Sequence, residues 1–408
     1  MIKRLDTGEQ IPYIRVGTDF FKVIHKPDRF GIEREELKKW NQQTLLIDHT
    51  KSYIGKIPSY DDFIIIPDNI APEPIINNCY NMYAKFPHKP KKGKYKWTAE
   101  MLNHVFGDQI DAGMMYMKVL YENPKQALPI LVLVSEERQT GKSTFLDWLN
   151  MLFGANMVSI EPDTIGAAFN GEFATKNIIA IDETILDKQI AVEKIKSLAT
   201  KKFISVNIKM VQQFTLPFFG KIVLASNNED KFMRIDDKEI RFWVRKLSNP
   251  KIENHNILND MVEEIPAFLY HLSNELPDID YTKSRMVLTE DQIKNDYLTA
   301  VKDESKSGLY KEMKILLEEY FSNNPHVTRL EATLSDIKSE WFNYDGSISR
   351  SYIKRVLKQE FNMQPGKNRQ YDPFNTGGYK VGAAYTFLNP FNDAGELIDT
   401  ESEEKPPF

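Results

Sequence analysis

An α/β fold with a buried central sheet is what the sequence predicts for the middle of this chain. Short runs with apolar centres recur at LPILVLV (128–134), NIIAID (177–182) and KIVLAS (221–226). Strands buried on both faces read as continuous apolar runs of this kind. Helical spacing separates them, as in Phe145, Leu146, Leu149 and Leu152, and again over residues 192–198. The junction between the first run and its helix reads SEERQTGKST (135–144), with a glycine–lysine–serine step. FISVNI (203–208) is a further strand-like run and is expected in the same sheet. Alternating strands and helices form a sheet with helices on its faces.

The rest of the chain divides around this core. Residues 1–75 hold β-like runs at 20–24 and 63–66, broken by prolines and charges, and read as a small mixed domain. Residues 76–125 form a helical segment before the core. Its apolar residues recur at Met101, Leu102, Val105 and Phe106, then at Met114, Met117, Leu120 and Tyr121. The basic stretch KFPHKPKKGKYKW (85–97) is either a solvated linker or a nucleic-acid contact. The core spans 126–255, and a second helical segment covers 256–308. Residues 309–390 hold helices at 309–321 and 349–361 and the strand-like YKVGAAYTFL (379–388). Helix followed by β-hairpin resembles a winged-helix module. Residues 391–408 end DTESEEKPPF, an acidic tail expected to be disordered.

Composition narrows the functional classes. The 408 residues are 41% hydrophobic, which suits a globular protein of two or three domains. Cys79 is the only cysteine, so an internal disulfide and a cysteine-based zinc site are excluded. A reducing cytoplasm fits that usage. No apolar run approaches the roughly 20 residues that cross a bilayer, so no membrane partner is expected. The start, MIKRLDTGEQ, lacks the apolar stretch of a signal peptide. A net charge of -5 argues against a bulk nucleic-acid coat but leaves room for a local basic channel.

The glycine–lysine turn points to phosphate. The usual phosphate-binding loop is G-x-x-x-x-G-K-[ST]. Gly141, Lys142 and Ser143 fit it; Glu136 stands where the first glycine is usual. Strand, loop and helix in that order aim backbone N–H groups and a helix N-terminus at an anion. Gln139, Thr140, Gly141, Lys142, Ser143 and Thr144 are therefore the expected contacts to ATP. Lys142 would neutralise the β- and γ-phosphates, and the Ser143 hydroxyl would hold Mg²⁺.

Three later runs end in chemistry. IIAIDET (178–184) delivers Asp182 and Glu183 at the exit of a buried strand. Asp182 would hold the Mg²⁺ shell and Glu183 would polarise the attacking water; alternatively both are surface acids. IVLAS delivers Asn227, either a γ-phosphate sensor or a turn asparagine. EIRFWVRKL (239–247) places Arg241 and Arg245 in alternation with apolar residues, on one expected strand face. Either is an arginine-finger candidate or an ordinary surface arginine.

Taken together, SEERQTGKST, NIIAIDET, ISVNIKMVQ, KIVLASNN and EIRFWVRKL resemble a superfamily 3 helicase, an AAA+-related replicative DNA helicase. They are most similar to the helicase part of phage, mobile-element and poxvirus-type primase-helicases, over about residues 76–250. The resemblance implies an AAA+-like P-loop NTPase core in a ring, with a hexamer, ATP pockets between subunits, and single-stranded and forked DNA as partners. It assigns the catalytic set to Lys142, Glu183, Asn227 and Arg241, with Arg245 as a further arginine candidate. It also places Lys209 on a β-hairpin in the central channel, with Met210 beside it against the DNA backbone.

Glu136 and Gln139 depart from the small residues common in that loop, which puts its geometry in question. DID (278–280) is the one acid-x-acid triplet between residue 255 and the tail, and it reads as loop after Pro277. No priming activity is therefore expected, which leaves priming to a separate primase as a partner. Two rivals stand beside the helicase: a nucleotide-dependent switch without unwinding, and an ATP-hydrolysing DNA-binding initiator or loader. For the second, Lys354, Arg355 and Lys358 are either a DNA contact or a solvated helix face. The tail's terminal EEKPPF is either solubilising or a recruiting tip for replication partners.

Overall fold

The computed structural model describes residues 11–391, apart from 28–32, 168, 183–188, 208–212, 229–234, 236–238, 251–253, 283–284, 305 and 344. The chain divides into two compact units, residues 1–301 and 302–408.

The first unit begins with a small sheet. Tyr13–Val16, Asp19–Pro27 and Glu33–Trp40 are antiparallel neighbours, and Ser59–Tyr60 joins Tyr13–Val16 in parallel. Ile14, Val16, Phe21 and Val23 bury together with Tyr60. Glu33–Trp40 reads EREELKKW, with little of its own to bury. It is a strand because it pairs with Asp19–Pro27 along its whole length. It sits at the sheet edge, where charge discourages pairing with another chain.

Two helices precede the central sheet, Lys96–Phe106 and Ile110–Glu122. The apolar spacing over 97–121 reads as one helical stretch. Gly107 ends the first helix with a φ of +46°, a conformation that suits glycine. A Cβ at Gly113 would lie 2.3 Å from the Phe106 ring, so glycine there lets the second helix fold back closely. Both helices pack against the long helix Ile257–Asn274.

The central sheet has five strands, all parallel, with helices on both faces. Their order is Phe242–Lys246, Ile130–Val134, Lys221–Ser226, Ile178–Ile181, Met157–Ile160. Successive residues alternate between two cores. Leu131, Leu133, Ala225 and Trp243 face the helices Lys96–Phe106, Lys142–Phe153 and Ile257–Asn274. Ile130, Val132, Val134, Leu224 and Val244 face the helix Gln189–Leu198 and the hairpin beyond it.

One strand expectation is corrected. Phe203–Val206 does not join the parallel sheet; it forms a separate antiparallel hairpin with Phe214–Pro217. Phe203 and Ser205 are exposed while Ile204 and Val206 are buried. A segment apolar on one face only has no place in a sheet covered on both. Met157–Ile160 fills the fifth position instead, a strand that MVSI does not announce.

Lys221 opens its strand and is buried. Its ammonium donates to the carbonyls of Pro124 and Phe219. Burial pushes its pKa down to about 7. Asn177 Nδ2 donates to the same two carbonyls, at 2.9 and 3.1 Å. A lysine whose pKa falls on folding binds fewer protons in the folded state. It therefore penalises the fold fully below about pH 7, and less and less as pH rises toward 10.5. Lys221→Met should raise the melting temperature by roughly 2–4 °C near pH 6 and by little near pH 10. A gain that does not change with pH would rule the lysine out as its source.

The second unit has its own core. Helices Gly308–Asn323, Leu334–Trp341 and Arg350–Gln359 bury Met313, Phe321, Ile337, Ile353 and Val356 with Leu330 and Phe387 from the strands. Arg329–Ala332 pairs with Tyr385–Leu388, and Arg369–Tyr371 with Lys380–Gly382, both antiparallel. YKVGAAYTFL, read as one strand, is thus two strands in two different ladders. Asp336 ties these parts together. It completes a capping box with Thr333 and accepts from Lys380 at 2.6 Å and from the Tyr371 hydroxyl at 2.5 Å. Burial alone would raise its carboxyl. The hydrogen bonds outweigh burial and hold it well below the usual carboxylate range.

Among the described residues, no helix is long and apolar enough to cross a membrane.

Candidate nucleotide-binding site

The strand Ile130–Val134 is wholly buried and is followed by Ser135, and the helix Lys142–Phe153 starts seven residues after that serine. Its amphipathic face buries Phe145, Leu146, Leu149 and Leu152, which anchors the loop at its far end. The loop between is closed by its own hydroxyls. Ser135 Oγ lies 2.9 Å from Thr140 Oγ1 and donates to the Glu137 carbonyl at 2.9 Å. His104, on the helix Lys96–Phe106, bonds the Thr140 carbonyl through Nε2 at 2.9 Å.

Two loop residues have left-handed backbone, Gln139 at φ +62° and Gly141 at +85°. Gly141 meets a real conformational demand there. Gln139 adopts the same region at a cost of about 1–2 kcal/mol. Glu136 has no positive φ. Its backbone needs no glycine, so the departure from the usual loop pattern at this position carries no strain.

The loop borders a cavity of about 790 Å³. Residues 138–144 line one side, which brings together Gln139, Thr140, Gly141, Lys142, Ser143 and Thr144. Met101, Asn227, Pro250, Asn254, His255 and Ile257 line the rest. Such a volume is typical of small-ligand sites. Phe145 N–H is the first to bond back into the helix, to the Gly141 carbonyl at 2.9 Å. The first turn of a helix has no intrahelical partners for its N–H groups, and it forms the helix's positive end. Lys142 is buried, and its ammonium donates to the Ser135 carbonyl, to Ser135 Oγ and to Thr140 Oγ1.

Strand order brings the other motifs alongside. The strand Lys221–Ser226 lies between the loop strand and Ile178–Ile181. Val134 pairs with Ser226, so Asn227 follows beside Ser135; Ile181 pairs with Leu224, so Asp182 emerges at the same edge. In parallel sheets ligands bind outside this carboxyl edge. Glu183, Lys209 and Met210 lie outside the described residues.

The two arginines separate rather than share a face. Arg241 precedes the strand Phe242–Lys246 and so sits at the opposite edge, where its carbonyl accepts from Ile130 N–H at 2.7 Å. Its Nε and Nη2 donate to the buried Glu239 at 2.6 and 2.8 Å, and Nη1 donates to the Lys196 carbonyl at 3.2 Å. Lys196 lies 3.6 Å from the same carboxylate. Arg245 points to the other side, to Val105, Asp108 and Gln109, and is 9% exposed. It ties the strand to the turn between two helices, and nothing directs it at a phosphate.

Residues 133–242 match the model of a family of unknown function (DUF5906). That stretch runs from the end of the loop strand to the first residue after Arg241. Nothing among the curated proteins matches the chain. Its fold is similar to solved structures of the C-terminal region of NrS-1. The apo structure of residues 305–718 of that protein has a TM-score of 0.65 at 15% identity, over 92% of this chain and 95% of the other. An A-form apo structure of the same region gives a TM-score of 0.64 at 16% identity, over 91% and 94%. Another A-form structure gives 0.60 at 16%, over 90% and 96%. The likeness therefore extends over both units of the fold.

Sequence reasoning missed His104, Ser135, Lys196 and Glu239. His104 lies in a helix whose neighbours Met101, Leu102 and Val105 are buried, and nothing in its spacing marks it as a loop support. Glu239 sits two residues before Arg241, a separation at which a carboxylate can hold a guanidinium, but the sequence leaves its burial open.

Proposed function

We propose that this chain is an ATP-driven DNA helicase that works as a ring, with ATP hydrolysed between subunits around an AAA+-like core. One observation carries the reading: the glycine–lysine loop, Asn227 and Asp182 converge on one edge of a parallel sheet, with a cavity at the loop. Lys142 leaves its hydroxyl partners for the β- and γ-phosphates. Asn227 hydrogen-bonds the terminal phosphate or its water, and Glu183 orients that water. Ser143 and Asp182 hold Mg²⁺, which commonly takes one or two protein oxygens plus substrate phosphates. The ion neutralises charge on the phosphate oxygens. Lys209 and Met210 contact the DNA.

Arg241 lies at the far edge of its own sheet, so its natural target is a neighbour's nucleotide. Glu239 grips the guanidinium from one side. A guanidinium has five N–H groups, and three of Arg241's are used by described residues. The remainder suit phosphate oxygens across an interface. Hexameric assembly, forked DNA as substrate and a separate primase are parts of the same proposal. The test is hydrolysis and unwinding of a forked duplex with and without single-stranded DNA. Hydrolysis that DNA does not stimulate, with no unwinding, would favour the switch reading.

A second reading, the initiator or loader, rests on the second unit. The helix Arg350–Gln359 buries Ile353, Val356 and Leu357 and exposes Lys354, Arg355 and Lys358. Arg355 lies 4.8 Å over the Tyr352 ring, which holds it outward. None of the three pairs with a carboxylate among the described residues, whereas Arg369 and Lys380 of the same unit do. The helix–strand–helix–helix–strand order with a hairpin is winged-helix-like. Replacing Lys354 and Arg355 by glutamate should weaken duplex binding and make its salt slope shallower by about 2. ATP hydrolysis should stay unchanged. Equal slopes would leave the helix face as solvated surface.

A further inference from the structure

A second cavity, of about 230 Å³, lies at the amino edge of the central sheet, away from the nucleotide cavity. Four exposed cations from three parts of the chain surround it: Lys125 before the loop strand, Lys201 and Lys202 before the hairpin, and Arg285. Among the described residues, no carboxylate lines it. None of the four forms an ion pair among the described residues. On a chain of net charge -5, four such cations around one opening run against the average surface. The buried Lys221 forms part of the wall, but its ammonium is turned to the Pro124 and Phe219 carbonyls.

An exposed aromatic follows two of these cations in the chain. Phe218 N–H bonds the Lys202 carbonyl at 2.9 Å, which closes the hairpin base and fixes Lys201 and Lys202 against the cavity. Phe203, the next residue, is 60% exposed, so its ring is open to a partner. Cations that track a backbone, with an aromatic face for a base, are how proteins hold single strands without reading sequence.

We infer that the cleft formed by Lys125, Lys201, Lys202 and Arg285 binds the phosphodiester backbone of single-stranded DNA, with Phe203 stacking on a base. The inference rests on the proposal that the chain acts on single-stranded DNA, and adds a contact site at the hairpin base. The cleft supplies charge and Phe203 supplies stacking, so binding there is salt-sensitive and indifferent to sequence.

The test compares the full chain with a variant in which the four cations are glutamine, and with Phe203→Ala. Affinity for a labelled oligo-dT is measured across a salt series, alongside ATP hydrolysis without DNA. The four-glutamine variant should show a salt slope shallower by about 3, from about 0.7 per phosphate contact on a single strand. Phe203→Ala should weaken binding about tenfold with the slope unchanged. Hydrolysis without DNA should not change in either. Equal slopes and affinities in wild type and variant would overturn the inference. So would loss of DNA-free hydrolysis with DNA binding intact, because the cleft would then serve a nucleotide. If wild type itself fails to bind oligo-dT, the helicase proposal falls and this inference with it.

Discussion

Lys142→Ala is expected to lower ATP hydrolysis by about a hundredfold to a thousandfold, the usual cost of one preorganised donor to developing charge. Unwinding of a forked duplex should fall with it. The substitution removes the charge at the loop side of the cavity and leaves the loop's own closure in place. Ser135 Oγ and Thr140 Oγ1 still bond each other at 2.9 Å, and His104 still holds the Thr140 carbonyl. The melting temperature should therefore change little while activity is lost. Phosphate release, fluorescent-nucleotide binding and a thermal melt together read this out. Hydrolysis at the wild-type rate would remove the nucleotide site from this loop.

Arg241→Ala should be as damaging, by about a thousandfold or more in hydrolysis, the range measured for arginine fingers. Nucleotide binding should survive, because the cavity lies at the other edge of the sheet. A structural role must be separated from a catalytic one. Glu239 is buried and loses its bidentate partner in the variant, keeping Lys196 at 3.6 Å. Losing such a partner destabilises the fold whether or not the arginine is a finger.

Mixing separates the two roles. Lys142→Ala subunits have a spoiled loop and an intact arginine; Arg241→Ala subunits have the reverse. In a mixed ring, an intact loop meets an intact arginine at about a quarter of interfaces, if neighbours assort at random. Hydrolysis should reappear on mixing two inactive preparations. No recovery in rings shown to be mixed would make Arg241 a structural residue of its own subunit.

Much of the site was legible because its signals are local. Gly141-Lys142-Ser143 needs only a strand before it and a helix after it, and both announce themselves through apolar spacing. The helix begins at Lys142 as the spacing predicts. The strands carrying Asp182 and Asn227 are short runs buried on both faces, so no alternation hides them. Apolar content alone assigns Phe203–Val206 to the sheet, but its alternation argues against that: Phe203 and Ser205 are its exposed positions. Glu33–Trp40 was invisible for the opposite reason. Its residues do not call for a strand, and its neighbour's free edge does.

The arginines show where local reading stops. Arg241 and Arg245 stand four residues apart with apolar residues between, and spacing alone puts them on one face. The strand begins only after Arg241, so the period-2 rule does not reach it. Glu239 and Lys196 then hold one guanidinium, while Asp108 and Gln109 hold the other.

By itself the sequence determined the α/β core, the loop and helix around Lys142, and the strands that end in Asp182 and Asn227. Each follows from residues near one another in the chain. Only the tertiary structure decided the order of strands, the cavity beside the loop, the support from His104 and the far-edge position of Arg241. These depend on which distant segments meet, and no apolar period encodes that. The cluster of Lys125, Lys201, Lys202 and Arg285 belongs with them. Its members are spread over some 160 residues of sequence and meet only because strand ends and the hairpin base share one edge of the sheet.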